Sequence, residues 1–249
     1  MLRYEAAGLT ALHGAAKMIK VPKARYVGEL PSGGAFIAMD FIPFGARGSK
    51  SQYELGEGIA EIHRAPSPYQ FFGFPMDGCC GSCPQLNNSS QEQINWVQFW
   101  RKYRLGSQLE MLKENAPSDV VVQEKGLQLL NNLEELFSDL IVEDIVPSLL
   151  HGDLWSGNVA VDEKGNFVIF DPAAYYGHSE ADLGIARMFG GFGGQFWEGY
   201  HSVIPKSKKY NERALLYELH HHLNHYNIFG SSYRSGALSL ISKLLSSLH

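Results

Sequence analysis

Apolar residues recur at helical spacing from the first turn of the chain. Leu2, Ala6, Leu9 and Leu12 within Met1–Lys17 predict an opening helix, and Pro22 ends it. Two short extended runs follow, Ala24–Leu30 and Ala35–Phe41. The Pro31-Ser32-Gly33-Gly34 turn between them predicts an antiparallel hairpin. Helical alternation returns over Ser51–His63, with Leu55, Ile59 and Ile62 on one face. The stretch Ala65–Ser90, rich in Pro, Gly, Cys and Asn, reads as a long ordered loop. Two longer helices are predicted over Glu92–Asn115 and Ser118–Phe137. Trp96, Phe99, Trp100 and Tyr103 stripe the first and Leu127, Leu130, Leu133 and Leu136 the second, as core-packing faces do. Beyond Pro147 the period drops to two. Asn158–Val161 and Phe167–Phe170 flank Asp162-Glu163-Lys164-Gly165, which predicts a second hairpin. Helices near Ser179–Met188, over Tyr210–His225 and over Ala237–Leu248 complete the pattern, without repeats or low-complexity tracts.

Composition narrows the class. With 45% hydrophobic and 19% charged residues, the 249-residue chain is that of a folded globular protein rather than a disordered one. A net charge of −5 disfavours a nucleic-acid partner, which needs a concentrated basic surface. No apolar run approaches the roughly 20 residues of a membrane span, so no membrane partner is expected. The N-terminus lacks a signal-peptide layout, which argues against secretion. Cys79, Cys80 and Cys83 are clustered and odd in number, which is no disulfide framework and fits a reducing interior. The expected location is intracellular, cytoplasmic by default, with a plastid or other organelle left open.

The chemistry concentrates in His151-Gly152-Asp153-Leu154-Trp155-Ser156-Gly157-Asn158 and in Val168-Ile169-Phe170-Asp171-Pro172. The first segment fits H-x-D-x-x-x-x-N, and the second ends an apolar strand on an aspartate. Asp153 on a short loop can accept the proton of a substrate hydroxyl, while Asn158 and Asp171 are hard oxygen donors suited to Mg2+. A hairpin between them returns both to the same end, so the spacing has a physical meaning. Taken singly, Asp153 could cap a turn and Asp171 could open a proline turn. Together they predict a phosphotransferase.

Several segments carry a family resemblance: HGDLWSGN, FDPAAYYGHSEADLGIARMFGGF, LNHYNIFGSSYR, CCGSCPQLNN and KVPKARYVGELPSGGAFIAMDFI. The chain resembles the fructosamine/ketosamine kinases, a branch of the aminoglycoside-phosphotransferase-like kinases, over nearly its whole length. The resemblance implies an α+β, protein-kinase-like two-lobe fold with a mainly helical C-lobe and a truncated N-lobe. Residues 1–43 would be a remnant of the small lobe, with a hinge near 39–43, and residues 44–249 the helical lobe. It implies ATP and Mg2+, and a ketosamine partner, free or on protein, phosphorylated at a sugar hydroxyl so that the adduct falls off. By the same resemblance Asp153 would be the general base, and Asn158 and Asp171 the metal ligands. Met39, Asp40 and Phe41 would meet the adenine. Glu5 would pair with a phosphate-binding lysine; the plain reading is an acidic residue favoured at a helix start.

Trp155 would stack on the sugar or pack as an ordinary indole. His221, Asn224 and His225 would line the sugar pocket or close a core hydrogen-bond network. His151 and Asp182 would support the catalytic loop. A metal on His220, His221, His222 and His225 or on the three cysteines lacks further ligands with the right spacing. The Lys206, Lys208 and Lys209 cluster reads as solvated surface.

One departure stands out. A kinase-like nucleotide site has a Gly-rich hairpin and a strand lysine upstream of the glutamate helix, and neither precedes Glu5 in this sequence. The expectation is a small lobe lacking its first strands, weak or absent ATP binding in this form, and self-association through the open hairpin edge. Two alternatives to ketosamine phosphorylation are a non-catalytic sugar-binding relative and a kinase for another amino sugar or aminoglycoside.

Overall fold

The computed structural model describes residues 1–45 and 51–248. Helix α1 (Leu2–Ala15) buries Leu9 and Leu12 of its expected stripe together with Tyr4 and Gly8, while Leu2 and Ala6 are half-buried. It packs on the hairpin of β1 (Ala24–Glu29) and β2 (Ala35–Met39), whose register runs from Ala24 opposite Met39 to Glu29 opposite Ala35. This sheet has two strands, and it leaves Tyr26 and Phe36 exposed. The chain then passes Phe44 and Gly45. Residues 46–50, which fall inside the expected 44–249 lobe, and residue 249 at its end lie outside the described residues.

Helix α2 (Gln52–Arg64) opens with a capping box between Ser51 and Glu54 and buries Leu55, Ile59 and Ile62. The stretch expected as plain loop contains a short hairpin, β3 (Gly78–Cys80) with β4 (Cys83–Gln85), closed by the Gly81-Ser82 turn. Strands this short leave almost no periodic signal. The helix expected from Glu92 starts only at Trp96, because Asn95 caps it: its side chain accepts from the Gln98 N–H. After α3 (Trp96–Phe99) the chain makes a wider π turn over Trp100–Leu105, with the Gly106 N–H reaching back to Arg101 O, and continues as α4 (Gly106–Asn115). Trp96, Phe99, Trp100 and Tyr103 are all buried, as the stripe predicts.

The helix expected over Ser118–Phe137 divides. Asp119 caps α5 (Val120–Asn131), and a 3-10 turn covers Leu133–Phe137. The change of pitch alters the phase of the leucine stripe, so Leu129, Leu133 and Leu136 are buried whereas Leu127 is 54% exposed.

Strand β5 (Ser148–Leu150) pairs antiparallel with β8 (Tyr175–Gly177), and between them lies the predicted hairpin of β6 (Val159–Val161) and β7 (Phe167–Ile169). A 3-10 turn over Ser179–Asp182 leads into α6 (Leu183–Met188), so the helix expected there begins in a tighter pitch. Helix α7 (Gly194–Val203) has no counterpart in the expectations, because the glycines that open it read as loop. Helix α8 (Tyr210–Phe229) runs past the expected end at His225, and α9 (Arg234–Ser247) starts three residues before the expected Ala237 and ends one before Leu248. α2 packs against α7, and α8 against α6 and α9.

The N-terminal segment grips the β6–β7 hairpin from both sides. The Lys20 N–H donates to Phe167 O at 2.8 Å and Lys20 O accepts from the Ile169 N–H at 3.0 Å. On the other edge the Gly45 N–H donates to Val161 O at 2.9 Å, and the Phe44 ring stacks on Phe170 at 5.4 Å. Lys20 also pairs with the buried Asp162 in the hairpin turn.

Candidate active site

The loop between β5 and β6 is built to hold one carboxylate. Gly152 takes φ +81°, and a β-carbon there would lie 2.0 Å from Ala173 O, so this turn requires glycine. The Asp153 N–H donates to His151 Nδ1 at 3.3 Å. Nδ1 therefore carries no hydrogen, and Nε2–H donates to Phe170 O at 3.0 Å. Burial holds the His151 pKa below the ordinary histidine value, against the raising influence of Asp182. The neutral ring thus bridges the Asp153 loop and the end of β7.

Asn158 closes the loop. Its Nδ2 donates to Asp153 Oδ2 at 3.0 Å, to Asp153 O at 2.9 Å and to Asp171 O at 3.3 Å. Among the described residues nothing donates to its Oδ1. Asp171 sits in the left-handed region at φ +57°, which Asp tolerates better than most residues, immediately before Pro172. The hairpin therefore places Asp153, Asn158 and Asp171 together, as its geometry predicts.

Three acidic groups converge here. Burial raises the Asp153 carboxyl to about 6, and the neighbouring Asp171 charge adds to the rise. Glu5 of α1 is raised for the same reasons in the same order. Among the described residues neither Asp153, Asp171 nor Glu5 has an ion-pair partner, and no lysine reaches Glu5. Asp182 lies behind the loop. Its Oδ2 accepts from the His151 N–H at 2.8 Å and its Oδ1 from the Gly152 N–H at 2.7 Å. Burial pushes the Asp182 pKa up, but the hydrogen bonds from His63 and the His151 N–H, with the electrostatic influence of both rings, bring it below the usual value.

The residues expected to meet adenine lie at the end of β2. Met39 is paired with Ala24, and the Asp40 N–H is already used by Lys23 O at 3.0 Å while its carboxylate holds Arg25. Phe41 is 89% exposed. Of the residues expected to touch sugar, Trp155 and His225 each neighbour Phe189. Trp155 is partly exposed, its ring 5.6 Å from Phe189, and Phe189 lies 5.2 Å from His225. His221 and Asn224 are interior. Asn224 donates to Cys80 O at 3.3 Å and accepts from Gln108 Nε2 at 3.2 Å, tying the β3–β4 hairpin to α8.

The fructosamine kinase family model matches residues 1–247. The chain belongs to the fructosamine kinase family. It is 45% identical over 246 residues to the chloroplastic protein-ribulosamine 3-kinase of Arabidopsis thaliana, covering 98% of this chain and 72% of that protein. It is 39% identical over 268 residues to the ketosamine-3-kinase of Mus musculus, covering 98% of this chain and 83% of the relative. A crystal structure provisionally assigned as a fructosamine-3-kinase from Thermobifida fusca superposes with a TM-score of 0.83 at 27% identity, covering 99% of this chain and 80% of that one. An aminoglycoside phosphotransferase superposes at 0.62 with 17% identity over 98% of this chain and 83% of its own, which establishes the protein-kinase-like α+β fold. Membership makes the chain a phosphotransferase with a nucleoside triphosphate as co-substrate. No helix among the described residues is long and apolar enough to cross a membrane.

Within this fructosamine kinase fold, sequence reasoning missed Phe189 and His63. Phe189 bridges the Trp155 and His225 rings. His63 is buried and its Nε2–H donates to Asp182 Oδ2 at 3.0 Å. One signal could have found it: His63 is in phase with Leu55, Ile59 and Ile62 on the buried face of an amphipathic helix.

Proposed function

We propose that this chain transfers the γ-phosphoryl group of ATP to a hydroxyl of a ketosamine, the adduct a reducing sugar leaves on an amine. The product then falls away and the amine is restored. The observation that carries the reading is the convergence of Asp153, Asn158 and Asp171 at one end of the β6–β7 hairpin. Asp153 keeps Oδ2 on the Asn158 amide and offers Oδ1 to the substrate hydroxyl. As that hydroxyl oxygen bonds to the γ-phosphorus, its proton passes to Asp153. The bond to the β–γ bridging oxygen breaks and ADP leaves.

Mg2+ fits the donor set: the Asn158 amide oxygen and the Asp171 carboxylate are hard ligands beside carboxylates that have no ion-pair partner among the described residues. Those two residues would hold it, and when bound it neutralises phosphate charge. Residues 1–43 act as the small lobe, with the Met39–Phe41 backbone toward adenine, and 44–249 as the large lobe. Trp155 and His225 flank the sugar, His221 and Asn224 back the pocket from the interior, and His151 and Asp182 fix the loop.

Phosphorus NMR of this chain with ATP·Mg and a small ribulosamine or fructosamine tests the reading, with Asp153→Asn as control. Turnover in the unaltered chain that disappears in the control is expected. Equal turnover in both, or phosphorylation of an aminoglycoside but of no ketosamine, refutes it.

A further inference from the structure

Helix α1 carries Glu5, and the residue before Glu5 fastens that helix to the segment that follows Asp171. Tyr4 is 2% exposed, and its hydroxyl donates to Ala174 O at 2.6 Å. Gly8, one turn further on, approaches so closely that a β-carbon there would lie 2.9 Å from Ala174 Cβ. α1 therefore lies directly on residues 172–174. A third member comes from the end of β4. Gln85 is 5% exposed, and its Nε2 donates to the Tyr4 hydroxyl at 2.7 Å and to Ala173 O at 3.0 Å. The Tyr4 hydrogen is spent on Ala174 O and a carbonyl only accepts, so the nitrogen end of the amide faces both partners and uses both of its hydrogens. The β3–β4 hairpin is shaped to deliver this side chain. A β-carbon at Gly78 of β3 would lie 2.1 Å from the Tyr4 ring, and the Phe74 ring meets Tyr4 edge to face at 5.6 Å.

We propose that Gln85 and Tyr4 are a pair of positioning residues for phosphoryl transfer: through Ala173 O and Ala174 O they hold the Asp171 and Glu5 carboxylates in register. This rests on the phosphotransferase reading above. Asp171 stands at φ +57°, a conformation that a non-glycine residue keeps only where its surroundings enforce it. Pro172 has no N–H with which to anchor the segment. On the upstream side Asn158 Nδ2 donates to Asp171 O at 3.3 Å. On the downstream side the two side-chain hydrogen bonds to Ala173 O and Ala174 O fasten it before β8 begins. Ala173 O also faces Gly152, where a β-carbon would lie 2.0 Å away. One glutamine thus meets α1, the segment that carries Asp171 and, across Ala173, the loop that carries Asp153.

The test compares Gln85→Leu, Tyr4→Phe and the double variant with the unaltered chain. Removing a group that supports a metal ligand costs about 10–100-fold in metal affinity. Gln85→Leu acts two residues from the ligand, so it should raise the Mg2+ concentration for half-maximal turnover by roughly 10-fold, with KM for the ketosamine unchanged. Tyr4→Phe should act in the same direction and less strongly, and it carries the test if the leucine variant does not fold. The two side chains share a hydrogen bond, so the double variant should lose clearly less than the product of the single losses. A merely structural pair would lower the yield of folded protein and leave the Mg2+ requirement where it is. Amide hydrogen exchange supplies a readout independent of turnover: the peptide spanning residues 171–175 should exchange faster in both single variants. Three results overturn the proposal: an unchanged Mg2+ requirement in Gln85→Leu and Tyr4→Phe, single losses that multiply in the double variant, or an equal rise in the ketosamine KM. If the unaltered chain itself shows no turnover, the phosphotransferase reading fails. The exchange arm then decides on its own whether the pair holds the segment, and unaltered exchange in both variants overturns it.

Discussion

Replacing Arg213 by methionine tests how the large lobe is held together. The Arg213 side chain is fully buried, and it meets two carboxylates that are themselves 7% and 8% exposed. Nε donates to Glu180 Oε2 at 2.8 Å, NH2 to Glu180 Oε1 at 3.2 Å, and NH1 to Asp139 Oδ1 at 2.6 Å and Leu136 O at 3.0 Å. Methionine fills much of the volume and removes the cation, leaving two buried carboxylates without their shared partner. Breaking a buried pair in this way costs about 3–5 kcal/mol. In a chain of this size, that lowers Tm by roughly 6–20 °C.

The effect has a pH signature. Burial raises the Asp139 carboxyl in the unaltered protein, but the Arg213 and Lys209 hydrogen bonds outweigh it and bring the pKa below the usual range. Its contribution is therefore complete above the unfolded pKa of about 4 and is lost as the pH falls through the folded value. In Arg213→Met the sign reverses. Burial then dominates, the folded pKa rises, and the destabilisation is relieved as the pH drops toward about 4. Urea unfolding at pH 7 and near pH 4.5 should thus show a large gap between the two proteins that narrows on acidification. A loss under about 1 kcal/mol at pH 7, the value of an exposed pair, or a gap that widens in acid would refute the reasoning.

The other predictions concern the site. Asp153→Asn should cut kcat by at least roughly 100-fold, as loss of a general base does, with an unchanged far-ultraviolet circular dichroism spectrum. Asp171→Ala should abolish the Mg2+ dependence of nucleotide binding, read by titrating ATP with and without the metal. Trp155→Ala should raise KM for the ketosamine while KM for ATP stays constant. Gly157→Ala offers a milder probe, since its new β-carbon would lie 2.2 Å from the Trp155 ring and force the indole to move; the same selective rise in KM is expected. If the open β1–β2 edge with its exposed Tyr26 and Phe36 drives association, light scattering should report a mass that grows with concentration, and Tyr26→Lys should return it to the monomer.

The chemistry was legible where it depends on neighbouring residues. His151, Asp153, Asn158 and Asp171 are joined by one hairpin, and the turn residues that make the hairpin lie in the same stretch of sequence. The three-residue pairing of β5 with β8 was not legible, because strands so short carry no period and their partners lie far apart. Helix α7 was hidden by the glycines at its start, and the π turn by the helical spacing on either side of it.

The interior charges are a different case, because half of the information was present. His63 falls in phase with Leu55 and Ile59, Arg104 with Trp96 and Trp100, and Arg213 with Leu216, Tyr217 and His220. Helical spacing places each of them on a buried face, and a buried polar group needs a partner. The pattern names the group that must be answered but not the residue that answers it. Glu180 and Asp139 answer Arg213, and Asp182 answers His63. Arg104 is answered by Leu86 O at 2.6 Å, Asn87 Oδ1 at 2.8 Å and the Tyr175 ring at 3.9 Å, with no carboxylate among the described residues. Most of these answers come from two segments beside the site, the Ser179–Asp182 turn and the segment after β4, while Asp139 follows the Leu133–Phe137 turn and Tyr175 lies on β8. The polar residues out of place on apolar helix faces therefore mark where the helical lobe grips the loops that carry the chemistry.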